Sequence, residues 1–199
     1  MMELKDSATK KEDRRVRRTK KLLTRALMEL LQEKQINEIT VKELTDLADM
    51  NRGTFYLYYK DIFDMLEKIE DGLFAALDDI VSLHEKDDVS RQPKPILLDL
   101  FRFIGENREM CSVLLSPHGD MNFLHRLNDV VREKCLQMWP NEKEKESAGF
   151  EYHYSFVVYG CVGVFRAWLS GKCRETAEEM AEMADVMIRR GSIPGIQSV

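Results

Sequence analysis

The sequence predicts an all-α fold, with three N-terminal helices, a long fourth helix and a larger helical body. Apolar residues recur at helical spacing from residue 17 onward, and polar capping residues stand immediately before several of these stretches. No strand-like alternation of apolar and polar residues is long enough to indicate a sheet. With 44% hydrophobic residues, the 199-residue chain has enough apolar surface to exclude disorder.

The first predicted helix covers residues 17–34, where one apolar stripe is formed by Leu22, Leu23, Ala26, Leu27, Leu30 and Leu31. A second helix is expected from Val41 to about Ala48. Thr40 and Glu43 form a T-x-x-E capping box at its start.

The third and fourth helices follow a tight turn. Asp49-Met50-Asn51 ends the second helix, and Asn51 is a good N-cap for a third over residues 52–59. Asp61 caps the fourth, which starts at Ile62. Further helices are expected near residues 95–108, 110–115, 121–139, 147–171 and 175–190.

Two short helices joined by such a turn are typical of a helix-turn-helix, whose second helix lies in the DNA major groove. The net charge of −5 hides a basic N-terminal end. Residues 1–60 hold 14 Lys and Arg against 10 Asp and Glu, and nine of the basic residues lie between Lys10 and Arg25. This asymmetry favours contact with a polyanion, although a solvated basic tail would have the same composition.

The motif Thr40-Val41, then Ala48, then Asn51-Arg52-Gly53-Thr54-Phe55-Tyr56, resembles the DNA-binding domain of the tetracycline-repressor (TetR) family over residues 17–66. The resemblance implies a dimeric bacterial regulator with a small-molecule pocket in its C-terminal domain. Gly119-Asp120, Tyr159-Gly160 and Trp168-Leu169 also resemble a subgroup that includes dihydroxyacetone-kinase operon regulators.

The resemblance divides the chain into a basic arm (1–16), a helix-turn-helix domain (17–61) and a helical ligand-binding and dimerisation domain (62–199). It implies double-stranded operator DNA as partner. The implied DNA-contacting residues are Arg17, Arg18, Thr40, Lys42, Arg52, Gly53, Thr54, Tyr56, Leu57, Tyr58 and Lys60. Among them, Arg52 is the expected base reader, because its guanidinium can bond guanine O6 and N7 together. The family usually has Gly where Asp49 and Gln35 stand and often Lys at Ile62. Asp49 tolerates the left-handed backbone that this turn requires.

Small and methionine residues at helical spacing predict a homodimer through the last two helices. The predicted interface comprises Phe156, Gly160, Gly163, Ala167, Met180, Ala184 and Met187. The alternative is that these stripes pack only within one chain.

For an unknown small-molecule effector, the predicted pocket residues are Phe101, Phe123, Tyr152, His153 and Tyr159. Each aromatic has an alternative place in an ordinary core. No metal site is expected, because Asp120 is better suited to cap a helix than to join His118 and His125 as ligands. Cys135 and Cys161 are candidate oxidant sensors or buried structural thiols.

No catalytic motif of the G-x-S-x-G, P-loop, Rossmann or H-E-x-x-H type occurs, so we expect neither an enzyme nor a cofactor. The sequence shows no signal peptide or membrane span, which favours a cytoplasmic protein with no membrane partner. The predicted function is a ligand-responsive repressor. The alternative is a transcriptional activator or DNA-organising protein with the same fold and no small-molecule effector.

Overall fold

The computed structural model describes residues 2–85, 87, 92–116, 121–138 and 148–191. Its α-helices are α1 (Met2–Glu33), α2 (Val41–Leu47), α3 (Arg52–Tyr56), α4 (Ile62–Leu83), α5 (Lys94–Glu106), α6 (Arg108–Leu114), α7 (Met121–Met138), α8 (Ala148–Ser170) and α9 (Ala177–Gly191). A 3-10 turn, Ile36–Glu38, separates α1 from α2. The all-α prediction is confirmed, and these described ranges contain no strand.

Most predicted helices agree with the structure to within about two residues, but the first and third differ. The helix α1 begins at Met2, so residues 2–16, expected to form an arm, are helical. The helix α3 ends at Tyr56 and not at residue 59. Tyr58 and Tyr59 instead lie in a turn, where both amide groups donate to the carbonyl oxygen of Phe55 at 3.0 Å.

The chain divides into two compact units, Met1–Asp71 and Gly72–Val199. Unit one has a small core in which five apolar side chains from α1 to α4 have no exposed surface: Leu23, Leu27, Leu44, Phe55 and Met65. These residues come from the apolar stripes that the sequence indicates. Their burial fixes the short helices α2 and α3 on a scaffold, because helices of five to seven residues are too short to be stable alone.

Unit two has a core of aromatic rings between α5 and α8. Phe101 is fully buried, with its ring centroid 4.7 Å from that of Phe165 and 5.3 Å from that of Trp168. The indole Nε1 of Trp168 donates to the carbonyl of Glu175 at 3.0 Å, which ties α8 to the segment before α9. The helix α9 packs on α5, and Arg102 in α5 binds Glu178 in α9 at 2.7 Å.

A buried histidine joins the end of α4 to α5 inside unit two. The ring nitrogens of His84 lie 2.6 Å from a carboxylate oxygen of Asp87 and 2.9 Å from one of Asp99. Burial lowers the pKa of His84, but the two carboxylates outweigh it and raise this pKa above its usual 6.5. Below this raised pKa the protonated ring can donate to both carboxylates, and so it links the end of α4 to α5.

Candidate nucleic-acid interface and effector cavity

The turn between α2 and α3 has the geometry of a helix-turn-helix. Thr40 caps α2, with its Oγ1 accepting from the amide of Glu43 at 3.2 Å. The carboxylate of Glu43 binds Lys34, the residue that follows α1. Asp49 takes the left-handed conformation with φ 52°, so this aspartate serves where the family usually has glycine.

The cap of α3 also forms as the sequence predicts. The side-chain oxygen of Asn51 accepts from the amide of Gly53 at 2.7 Å. A Cβ at Gly53 would lie 3.3 Å from that oxygen, so a larger residue here would crowd the cap. Below the cap, Phe55 is fully buried and Tyr59 nearly so. The helix α3 is thus anchored by one face and presents its other face to solvent.

The face that α3 presents carries the groups expected to touch DNA. Leu57 is 75% exposed and Tyr56 is 58% exposed, which leaves two large apolar side chains without protein cover. Arg52 and Gly53 are exposed beside them, and Thr54 is half-buried. Such a surface of a long cation, small residues and an apolar tip suits the floor of a major groove.

The predicted phosphate contacts lie on the neighbouring elements of unit one. Thr40, Lys42 and Lys60 are exposed around the helix-turn-helix, and Arg17 and Arg18 are exposed on α1. All of the predicted DNA residues except the half-buried Thr54 and Tyr58 are exposed. Their roles in binding stay a prediction.

Two lysines that the sequence reasoning missed position the end of the recognition segment. The Nζ of Lys20 lies 5.7 Å from the centroid of the Tyr58 ring, a cation–π distance. The Nζ of Lys68 donates to the carbonyl of Tyr58 at 3.1 Å and to Asp64 at 2.9 Å. The i, i+4 spacing of Asp64 and Lys68 was visible in the sequence, whereas the contact of Lys68 with residue 58 was not.

Unit two contains a partly open cavity of about 250 Å³. Its wall is formed by α4 to α9 and includes Leu73, Leu77 and Val81 of α4. This volume is a little below the range of about 300–1,000 Å³ usual for small-molecule sites. The cavity lies beside the C-terminal half of the fourth helix.

The five predicted pocket residues divide into three groups. Phe123 and His153 line the cavity. Phe101 is a core residue packed on Phe165 and Trp168, and it does not line the cavity. Tyr152 and Tyr159 are 77% and 64% exposed, so their assignment to the pocket is corrected. On α8 these two tyrosines share one face, which lies about 100–120° around the helix from His153 because a helix turns by about 100° per residue.

The outward face of α8 is open along most of its length. Phe156 is 60% exposed, and Gly160, Gly163 and Ala167 are exposed further along the helix. A Cβ placed at Gly160 or Gly163 would meet nothing within 4 Å. With Tyr152 and Tyr159, these residues form what we call the outward α8 face.

The exposed methionines of α9 differ in part from those predicted for the dimer interface. Met180 and Ala184 are buried within unit two, which corrects their assignment to a dimer interface. Their side chains belong to the packing of this helix inside the chain. Met187, which was predicted, and Met183, which was missed, are 51% and 45% exposed.

The described residues also place the cysteines and the other candidate ligand side chains. Burial raises the pKa of the Cys111 thiol to about 12, so this cysteine is a structural thiol. Cys161 is half-buried, whereas the side chain of Cys135 and residues 118 and 120 lie outside the described set. Among the residues that the structure describes, no cluster of metal-ligating side chains occurs and no helix is long and apolar enough to span a membrane.

Comparison with known proteins agrees with this architecture. A family profile of the TetR type, described as a transcriptional regulator C-terminal region, matches residues 91–190. The chain is 34% identical over 116 residues to YxbF of Bacillus subtilis (strain 168), an uncharacterized HTH-type transcriptional regulator, and the match covers 56% of this chain and 29% of YxbF. It is 27% identical over 137 residues to DhaS of Lactococcus lactis, the HTH-type dhaKLM operon transcriptional activator, covering 69% and 67% of the two chains.

A solved structure shares the fold. The fatty acid degradation regulator FadR of Bacillus halodurans superposes with a TM-score of 0.64 at 13% identity, covering 88% of this chain and 96% of that one. At such identity the likeness concerns the fold alone.

Proposed function

Because the chain belongs to the TetR family of transcriptional regulators, we propose that it is a dimeric, operator-binding repressor whose DNA affinity falls when a small molecule enters the unit-two cavity. The observation that carries this proposal is the continuity of α4. This helix begins at Ile62, shortly after α3 ends at Tyr56, and its later residues Leu73 and Leu77 line the cavity.

The reader is α3 with the basic residues around it. Arg52 would bond a guanine edge, and Leu57 would contact thymine methyl groups. The cations Arg17, Arg18 and Lys60 would neutralise backbone phosphates, which positions the reader without specifying sequence. Their exposure in unit one supports this assignment.

Signalling would run along α4. A ligand in the cavity must be accommodated by the side chains of Leu73, Leu77 and Val81, which stand on one stripe of this helix. A shift of the helix would change the placement of the two recognition helices in a dimer. Half-sites one turn of DNA apart, about 34–36 Å, tolerate little change in that spacing.

The proposed dimer forms through the outward α8 face together with Met183 and Met187 of α9. A single chain leaves Tyr152, Phe156 and Tyr159 each at least 60% exposed along one side of α8. A second copy that covers these rings would remove a contiguous apolar surface from water. The exposed Gly160 and Gly163 between them would let the two α8 helices approach closely.

The experiment that tests the proposal is a footprint on the DNA upstream of the coding region, followed by titrations at several salt concentrations. We expect one protected palindromic site, with log affinity falling steeply against log salt as phosphate counterions are released. Arg174, exposed between α8 and α9, gives the matched control for a cation outside the reader. Arg174→Ala should leave the affinity unchanged, whereas Arg17→Ala should lower it. Absence of any protected site would refute operator binding.

Activation is the second candidate, because the relative DhaS is described as a transcriptional activator. The same reader and dimer would serve either role. Transcription in vitro from the protected promoter separates the two: a repressor lowers the yield of transcript, and an activator raises it.

A further inference from the structure

The wall of the unit-two cavity is composed almost entirely of hydrocarbon. Leucine, isoleucine, valine and phenylalanine side chains supply most of it, from α4 through α9. No Lys, Arg, Asp or Glu is among its lining residues within the described ranges. An ionised ligand group placed here would lose its hydration and find no opposite charge, which is strongly unfavourable.

The few polar side chains in this wall offer little to a polar ligand. The hydroxyl of Tyr154 already donates to the backbone oxygen of Asn128 at 2.8 Å. Burial keeps the Cys111 thiol neutral, since its pKa is raised to about 12. His153 and Cys161, both half-buried, are the other polar side chains among the described lining residues. A ligand with several hydroxyl or carbonyl groups would leave most of them without partners.

The size of the cavity sets the length of chain it can accept. A cavity of about 150 Å³ holds benzene, with its six carbons. By proportion, the 250 Å³ found here holds about ten carbon atoms. The packed apolar wall matches a hydrocarbon chain or a comparably sized apolar skeleton.

We infer that the effector of this protein places a neutral hydrocarbon chain of about ten carbons in the unit-two cavity, and that small polyhydroxy metabolites are not its ligands. That this ligand regulates DNA binding rests on the proposed function, whereas its chemistry is inferred from the cavity wall alone. The hydrocarbon chain can belong to a free neutral lipid such as an alcohol, or to the acyl part of a thioester whose polar carrier stays outside the cavity.

Calorimetric titration of the full chain with 1-alkanols of six to fourteen carbons tests the inference. Each added methylene should tighten Kd about fourfold until the chain reaches about ten carbons, and the gain should then stop. Decanoyl-coenzyme A binding more tightly than 1-decanol would assign the chain to a thioester, and the reverse would assign it to a free neutral lipid. The inference is overturned if neither an alkanol nor decanoyl-coenzyme A binds with a Kd below about 1 mM, or if dihydroxyacetone binds more tightly than 1-decanol.

A matched pair of variants on α4 locates the site. Leu77 lines the cavity, whereas Leu83 on the same helix is 77% exposed. Leu77→Trp should fill the cavity and weaken 1-decanol binding at least tenfold, and Leu83→Trp should bind like the unmodified protein. Equal binding by both variants would place the ligand elsewhere and overturn the inference.

A second variant keeps the test valid if Leu77→Trp does not fold. Leu100 is half-buried and lines the cavity, so Leu100→Ala enlarges it by about three carbon volumes. The preferred alkanol should then be two or three carbons longer. An unchanged preference would contradict binding in this cavity.

Operator titrations run in parallel separate this inference from the proposed function. If 1-decanol binds but the affinity for operator does not change, the ligand chemistry stands and ligand control of DNA binding fails. If a polar compound releases the operator while alkanols do not bind, ligand control stands and the hydrocarbon inference fails.

Discussion

Substitution of Gly163 by arginine tests the dimer face with little risk to the monomer. This glycine is exposed in the middle of α8, and a Cβ there meets nothing within 4 Å. Arginine also has a better helix propensity than glycine, by up to about 1 kcal/mol. The isolated chain should therefore fold at least as stably as the unmodified protein.

The same change should prevent association through the outward α8 face. A dimer would have to bury an unpaired guanidinium against the partner, which typically costs about 3–5 kcal/mol. That cost raises the dimer Kd by about 100-fold or more. Sedimentation velocity over a range of protein concentrations measures the shift, and operator affinity should fall with it, since a monomer reaches only one half-site.

Gly72 provides the matched control for this substitution. It is another exposed helical glycine, within α4, and a Cβ placed on it meets nothing within 4 Å. Gly72→Arg should gain the same helix propensity and remain dimeric. If Gly163→Arg also remained dimeric with unchanged Kd, the outward α8 face would not be the interface.

Three further changes test the reader and the unit-two core. Arg52→Ala should cost about 1–3 kcal/mol of operator affinity and relax base preference at one position per half-site, measured on a library of operator variants; uniform weakening would instead make Arg52 a phosphate contact. Asn51→Ala removes the cap on the Gly53 amide and should lower the free energy of unfolding by about 1 kcal/mol, while Asn51→Ser keeps most of it. His84→Gln should lower the free energy of unfolding by about 1–3 kcal/mol at pH 6. Because the stabilisation by charged His84 is fully present below pH 6.5, this loss should diminish as pH rises through the raised pKa of His84. Equal losses at pH 6 and pH 9 in urea titrations would show that the charge of His84 is not involved.

The helix starts were predictable because a cap depends on residues that are close in sequence. Thr40 and Asn51 each bond an amide two or three positions ahead, and Asp61 accepts from the amide of Asp64 at 2.8 Å. The end of α3 was not predictable in this way. There Lys68, ten residues further along the chain, holds the carbonyl of Tyr58.

The pocket and dimer residues were harder to separate because α8 is apolar on more than one face. Spacing groups Tyr152 with Phe156 and Tyr159, but it does not say which group faces the interior. Packing against the other helices of unit two decides this, and it turns His153 inward. For the same reason the sequence analysis assigned Met180 of α9 to the interface, although Met180 is buried and Met183 is exposed.

The helix α4 follows the proposed recognition helix and also lines the cavity, so it can couple ligand binding to DNA binding. Leu73, Leu77 and Val81 have no contact partner on the side that faces the cavity until a ligand fills it. A ligand that packs closely against these side chains therefore gains the most binding energy. A ligand changes operator affinity only by the difference in its affinity for the two placements of α4. Operator DNA must weaken ligand binding by the same factor, typically the equivalent of about 1–3 kcal/mol. Since a hydrocarbon chain binds through contact area, its affinity for each placement of α4 depends on how closely these three side chains pack against it.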